Sequence, residues 1–138
     1  MTEVRVQQLT QTYLHQNPLQ QLKEICGDAE FWQQLSAGVM PELDQGRLMS
    51  AFYFDTDWPT WERHPAGAEL VLLLTGATEI FLCQADTSLP NETTERLVLS
   101  QPGDYVLIPA GVWHRASPLS PTTLLFLTPG LGTEHQPV

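Results

Sequence analysis

The spacing of apolar and polar residues changes character once along this chain, near residue 46. Beyond it, apolar residues come in short runs: RLMSAFYF, TWERH, ELVLLL, TGATEIFLC, ERLVLS, YVLIP, AGVWHRA and TTLLFLT. Polar or Gly/Pro-bearing pieces separate them, among them DTDWP, PAGA, QADTSLPNETT, QPGD and SPLSP. Short strands with closely spaced turn signals predict an all-β sandwich or barrel of about eight strands over residues 46–138. Leu70 to Leu74 is apolar on both faces, so both faces need cover. One face suits the barrel interior; the N-terminal segment or a second copy of the chain would cover the other. The tail PGLGTEHQPV reads as loop.

Residues 1–45 follow a different rhythm, rich in Gln and good helix formers with little Gly. Leu9, Thr12 and Tyr13 are spaced like one helix face. Asn17-Pro18 reads as a break that starts a second helix, carrying Leu19, Leu22, Ile25 and Cys26. Asp28 suits the N-cap of a third, Ala29 to Ala37, with an apolar stripe of Phe31, Trp32 and Leu35 and Gly38 as its stop. The expectation is an N-terminal helical segment, 1–45, packed on the barrel. His15 then sits in a helix as a structural residue.

Charge narrows the partners. Sixteen acids against six bases give a net charge of −10 over 138 residues. Such a surface repels phosphate backbones, which argues against nucleic acid. No basic amphipathic helix suits a membrane surface. The longest apolar run is too short for a bilayer, and the N-terminus lacks a basic start followed by an apolar stretch. A cytoplasmic protein is expected. Cys26 and Cys83 have no zinc-type spacing and read as reduced, partly buried thiols. There is no GxSxG, P-loop or HExxH pattern.

The candidate chemistry lies in two stretches. In WERHPAGAELVLLLTG, Glu62 and His64 sit two apart and project together from a strand. A turn over Pro65 and Gly67 would bring Glu69 back beside them. In GDYVLIPAGVWH, Gly103 allows a tight turn into a strand, and Pro109 and Gly111 shape a second one. His114 then shares a strand face with the small apolar Val112 and Ala116. That placement points it inward, where both ring nitrogens need partners and a metal is one solution. Trp58, Trp61 and Trp113 are either packing residues or a stacking wall for a ligand. Arg115 belongs on an outer sheet face, and His135 either stays in solvent or folds over the barrel mouth.

These two stretches resemble the paired motifs of the cupin superfamily. The first reads Glu62-x-His64-x4-Glu69-x6-Gly76 against a family pattern of His-x-His, Glu and Gly. The second reads Gly103-x5-Pro109-x-Gly111-x2-His114-x3-Pro118, with Pro118 in place of the usual Asn. The phrasing is similar to small bacterial single-domain cupins, many of which have Asp where this chain has Ala68. The resemblance implies a double-stranded β-helix, or jelly-roll barrel, often dimeric, with a divalent metal held by Glu62, His64, Glu69 and His114. Two imidazoles and two carboxylates suit Mn, Fe, Ni or Zn without choosing among them. Two carboxylates cancel the ion's charge, so a weaker Lewis acid is expected than with three histidines. Glu62 is then a ligand, a base or a rim residue. Two function classes follow: a metal-dependent dioxygenase or isomerase acting on a small molecule, or a non-catalytic small-molecule binding or sensing module.

Overall fold

The computed structural model describes residues 3–36, 40–84, 90, 92–130 and 132–138. Strands β1 (Thr12–Gln16) and β2 (Leu22–Cys26) come first, then one helix, α1 (Ala29–Ser36), and a 3-10 turn, Pro41–Asp44. Next come β3 (Arg47–Phe54), β4 (Thr60–Arg63), β5 (Glu69–Thr75), β6 (Thr78–Cys83) and β7 (Glu95–Leu99). Strands β8 (Tyr105–Ile108), β9 (Trp113–Pro118), β10 (Thr122–Pro129) and β11 (Glu134–Pro137) follow. They form two antiparallel sheets, ordered β2-β1-β3-β10-β5-β8 and β11-β4-β9-β6-β7. This double-sheet, all-β architecture is what the short apolar runs predict.

Alternation along each strand builds the interior. In β5, Glu69, Val71 and Leu73 are buried, while Leu70, Leu72 and Leu74 face outward. Val71 and Leu73 join Ile80, Leu82, Leu99, Ile108, Ala116, Leu124 and the rings of Phe54 and Phe126 in one core between the sheets. Each fully buried aliphatic side chain contributes roughly 1.5–3 kcal/mol. Two motif glycines are required by backbone geometry. Gly76 has φ +86°, and a Cβ there would lie 2.1 Å from the Pro121 carbonyl oxygen. Gly111 has φ +78°, and its amide donates to the His64 carbonyl at 3.1 Å, tying the two motif stretches together.

The N-terminal segment departs from the helical expectation. Residues 12–26 form a hairpin, and β1 pairs with β3 (His15 opposite Leu48), extending the first sheet by two strands. The Asn17-Pro18 break is the hairpin tip. The Asn17 side-chain oxygen accepts from the amides of Leu19 (2.9 Å) and Gln21 (3.0 Å), a local turn bond that competes with helix. Tyr13 and His15 alternate inward, a period of two that overrides the helical spacing of Leu9, Thr12 and Tyr13. Of the expected helices, α1 is observed. Asp28 caps it by accepting from the Phe31 amide at 2.9 Å, and Gly38 lies outside the described residues. Phe31 packs edge-on to Tyr13 at 5.2 Å, within a second cluster that includes Leu43 and Leu48.

Two smaller differences matter. The tail is strand β11 rather than loop, paired with β4 so that His135 lies opposite Glu62. It is a polar edge strand held by backbone hydrogen bonds, so no apolar alternation announces it. Cys83 is buried and Cys26 exposed, and both are free thiols. Among the described residues no helix is long and apolar enough to cross a membrane.

Candidate metal centre

Four side chains converge at one end of the sandwich. Glu62 is carried by β4, and His64 follows directly after that strand. Glu69 opens β5, and His114 lies in β9, opposite Glu62 in register. Their ligand atoms all lie within 4.8 Å of one another. His114 Nε2 is 2.9 Å from Glu69 Oε1 and 3.3 Å from Glu62 Oε1. His64 Nε2 is 3.1 Å from Glu69 Oε2 and 3.5 Å from Glu62 Oε1. None of these contacts is aligned as a hydrogen bond, so His64 Nε2, His114 Nε2 and Glu69 Oε1 are buried polar atoms without a hydrogen-bond partner. In the metal-free protein these atoms have only one another's charge for company, an ion-pair contact without aligned hydrogen bonds, and a bound cation would satisfy them better.

The opposite edge of each imidazole is fixed. His114 Nδ1 lies 3.1 Å from the Val112 carbonyl. A carbonyl only accepts, so Nδ1 carries the proton and Nε2 faces the cluster. His64 Nδ1 lies 2.9 Å from Thr133 Oγ1, and that hydroxyl donates to the Gly130 carbonyl at 3.3 Å. The threonine proton being so engaged, its oxygen accepts from His64 Nδ1–H. Thr128 Oγ1 donates to Glu69 Oε2 at 2.6 Å and orients that carboxylate.

The four groups set one another's charge. Burial disfavours imidazolium at His64, but Glu62 and Glu69 outweigh it and push its pKa up to about 9. The same balance pushes His114 up to about 10. Burial would raise the Glu62 carboxyl, yet His114, His135 and His64 hold it well below the usual range. Glu69 is lowered in the same way by His114 and His64. Without a metal, these directions favour two imidazolium ions against two carboxylates near neutral pH, a cluster without net charge.

No family model matches the chain, and no curated protein matches it. Solved structures do. A hydroquinone 1,2-dioxygenase from Sphingomonas sp. TTNP3, with 4-hydroxybenzoate bound, is 22% identical with a TM-score of 0.52. The match covers 59% of this chain and 58% of that one. A hydroquinone 1,2-dioxygenase in complex with Cd2+ and 4-hydroxybenzonitrile is 19% identical, also with a TM-score of 0.52, over 59% of this chain and 56% of that one. A cupin-2 domain containing protein from Shewanella frigidimarina is 17% identical over 60% of this chain and 70% of its own, with a TM-score of 0.48. This chain therefore spans less than two thirds of either dioxygenase. The likeness to the two dioxygenases is one of fold, over the matched residues.

The barrel opens into a cavity of about 960 Å³, with Glu62, His64 and Glu69 among its lining residues. Trp58, Phe126, Leu48 and Phe52 supply apolar wall, and Trp32 and Leu35 of α1 extend it. Trp58 is the one of the three candidate tryptophans that lines this space, packed 5.8 Å from Phe126 and 6.4 Å from the His114 ring. Trp61 and Trp113 pack on the other face of the second sheet. There the Arg63 guanidinium lies 4.5 Å from the Trp113 ring, and Arg115 lies 5.1 Å from Trp61 and 4.6 Å from Phe81. His15 is structural, but on β1, with Nε2 donating to the Gln45 carbonyl at 2.6 Å. His135 is half-exposed, with Nε2 3.3 Å from Glu62 Oε2.

The sequence reading missed Thr128 and Thr133, and it left His135 open between solvent and the barrel mouth, where it lies half-exposed against Glu62. Thr128 shares the inward face of β10 with Phe126, so strand alternation would have found it. Thr133 and His135 come from the polar tail, where no local pattern marks them.

Proposed function

We propose that this chain is a divalent-metal protein of the cupin type, its ion held by Glu62, His64, Glu69 and His114. The adjoining cavity presents a small organic molecule to that ion for a dioxygenase or isomerase reaction. The observation that carries this reading is the convergence of two Nε2 atoms and two carboxylates within 4.8 Å at a cavity floor. The donor set fits the group. Two of the imidazole edges are aimed by fixed Nδ1 bonds, and the orphaned buried atoms are ones a cation would satisfy. When bound, such an ion supplies Lewis acidity toward a carbonyl or hydroxyl oxygen, or access to dioxygen chemistry. The protein's own residues aim the ligands and keep the floor dry. Glu62, the most exposed of the three groups lining the cavity floor, is the one placed to exchange between ion and His135. Metal analysis tests the reading: protein dialysed against Mn, Fe, Ni or Zn should retain close to one ion per chain. A protein that takes up none of the four at micromolar levels sinks it.

A homodimer belongs to the same reading. The outward face of the first sheet presents Leu70 and Leu72 in cross-strand register with Leu125, Leu127, Tyr105 and Leu107, and the exposed Leu74 lies further along the same strand. Tyr105 and Leu107 are each 61% exposed. On a chain of charge −10, an uncharged face of this kind suits a second copy of itself. Light scattering should give twice the chain mass, and Leu107→Arg should give the monomer. A wild-type chain that is monomeric at all concentrations rules the dimer out.

A further inference from the structure

Resting on the metal reading above, we infer that the cavity selects a small aromatic molecule without negative charge. The walls come first. Trp32, Phe52, Trp58 and Phe126 line the space, with Leu48 among them, and about 960 Å³ accommodates one ring system with substituents. Flat apolar rings recover burial and edge or face contacts against such walls.

Charge decides the rest. The chain has six Lys and Arg residues, and none lines the cavity. Arg63 and Arg115 are stacked on the rings of the second sheet's outer face. Arg63 pairs with Glu134 at 2.8 Å, and Arg96 pairs with Glu79. Lys23 and Arg47 are exposed, and Arg5 lies in the exposed N-terminal stretch. Anion-binding cavities supply a guanidinium, an ammonium or an uncancelled metal charge. Here the two carboxylates of Glu62 and Glu69 cancel a divalent ion completely, whereas one carboxylate would leave a unit of positive charge. The wall adds another acid, Asp44 of the 3-10 turn. A carboxylate entering this space gives up its water and meets no lysine or arginine in return, and the rim imidazole of His135 already faces Glu62 Oε2 at 3.3 Å.

An isosteric set of probes reads this directly: benzamide, benzoate and benzamidine share one ring and differ in charge. Titrated into metal-loaded protein at pH 7 and followed by tryptophan fluorescence, benzamide should bind at least about tenfold tighter than benzoate. Benzamidine should not be weaker than benzoate. Glu62→Gln, loaded to the same metal occupancy, leaves a positive unit at the ion, and its benzamide-to-benzoate preference should shrink by about tenfold or reverse. Asp44→Asn, which touches no candidate ligand, should shrink it less. Benzoate binding the wild type as tightly as benzamide overturns the inference, as does failure of all three probes to bind at millimolar concentration. Metal content, measured on the same sample, keeps the two readings separate. A chain without metal overturns the metal centre, while the benzamide-to-benzoate ratio still reports the charge of the cavity lining.

Discussion

Replacing His64 and His114 together with Ala should lower metal affinity by at least about a thousandfold. Zinc held by four protein ligands is worth roughly 10–16 kcal/mol, so two of four ligands carry several kcal/mol, and about 4 kcal/mol already corresponds to a thousandfold. The single variants should fall between wild type and the double variant. Thr133→Val offers a graded control. It leaves the ligands in place but removes the oxygen that accepts from His64 Nδ1–H, and such orienting bonds are worth about 10–100-fold in affinity. The double variant also removes the two imidazole partners of Glu62 and Glu69, leaving the almost fully buried Glu69 with the Thr128 hydroxyl alone. Breaking a buried ion pair on one side costs roughly 3–5 kcal/mol, so metal-free melting should fall as well. A double variant that melts lower yet keeps its metal stoichiometry and affinity would show that the ion binds elsewhere.

The convergence of the four candidate side chains was legible in the sequence for a specific physical reason. Glu62 and His64 are two apart at the end of one strand, and Glu69 begins the next after a short turn. His114 was placed by its neighbours: Val112 and Ala116, small and apolar on its own face, mark that face as interior. The strand runs were legible because Gly and Pro cut them at nearly every boundary. What escaped depends on contacts between distant segments. Tyr13 and Leu9 suit a helix by spacing, but an inward Tyr13 and His15 beside the free edge of β3 suit a hairpin better, and the edge is invisible locally. Strand β11 pairs through its backbone, so Thr133 and His135 reach the site without any pattern of their own. The cavity wall drawn from α1 is equally nonlocal. Trp32 is partly exposed, and its place opposite the barrel follows from Phe31 packing on Tyr13 rather than from a motif.

Metal binding should strengthen steeply with pH and release two protons per ion at neutrality. In the metal-free cluster, His64 is pushed up to about 9 and His114 to about 10, so both imidazoles are charged at pH 7. An ion requires both to be neutral. Affinity should therefore rise by up to about 100-fold per pH unit below about 9, by about tenfold per unit between the two values, and level off above about 10. Stability moves the opposite way in the metal-free protein. Both histidines have folded values raised above the ordinary 6.5, so their pairing with Glu62 and Glu69 stabilises the fold fully below about 6.5. That contribution declines as pH rises and is gone beyond about 10. The lowered carboxyls act at the other end, adding stability above their ordinary range that is lost as pH falls through their depressed values. Melting temperatures from pH 6 to 10 should thus fall in the presence of a chelator and hold or rise with excess metal, so that the two curves separate as pH increases. Calorimetry of metal binding in two buffers of different ionisation enthalpy measures the proton count at pH 7. A count near zero would mean that the imidazoles are already neutral when the ion arrives, and that the cluster is not held together by the charge exchange described here.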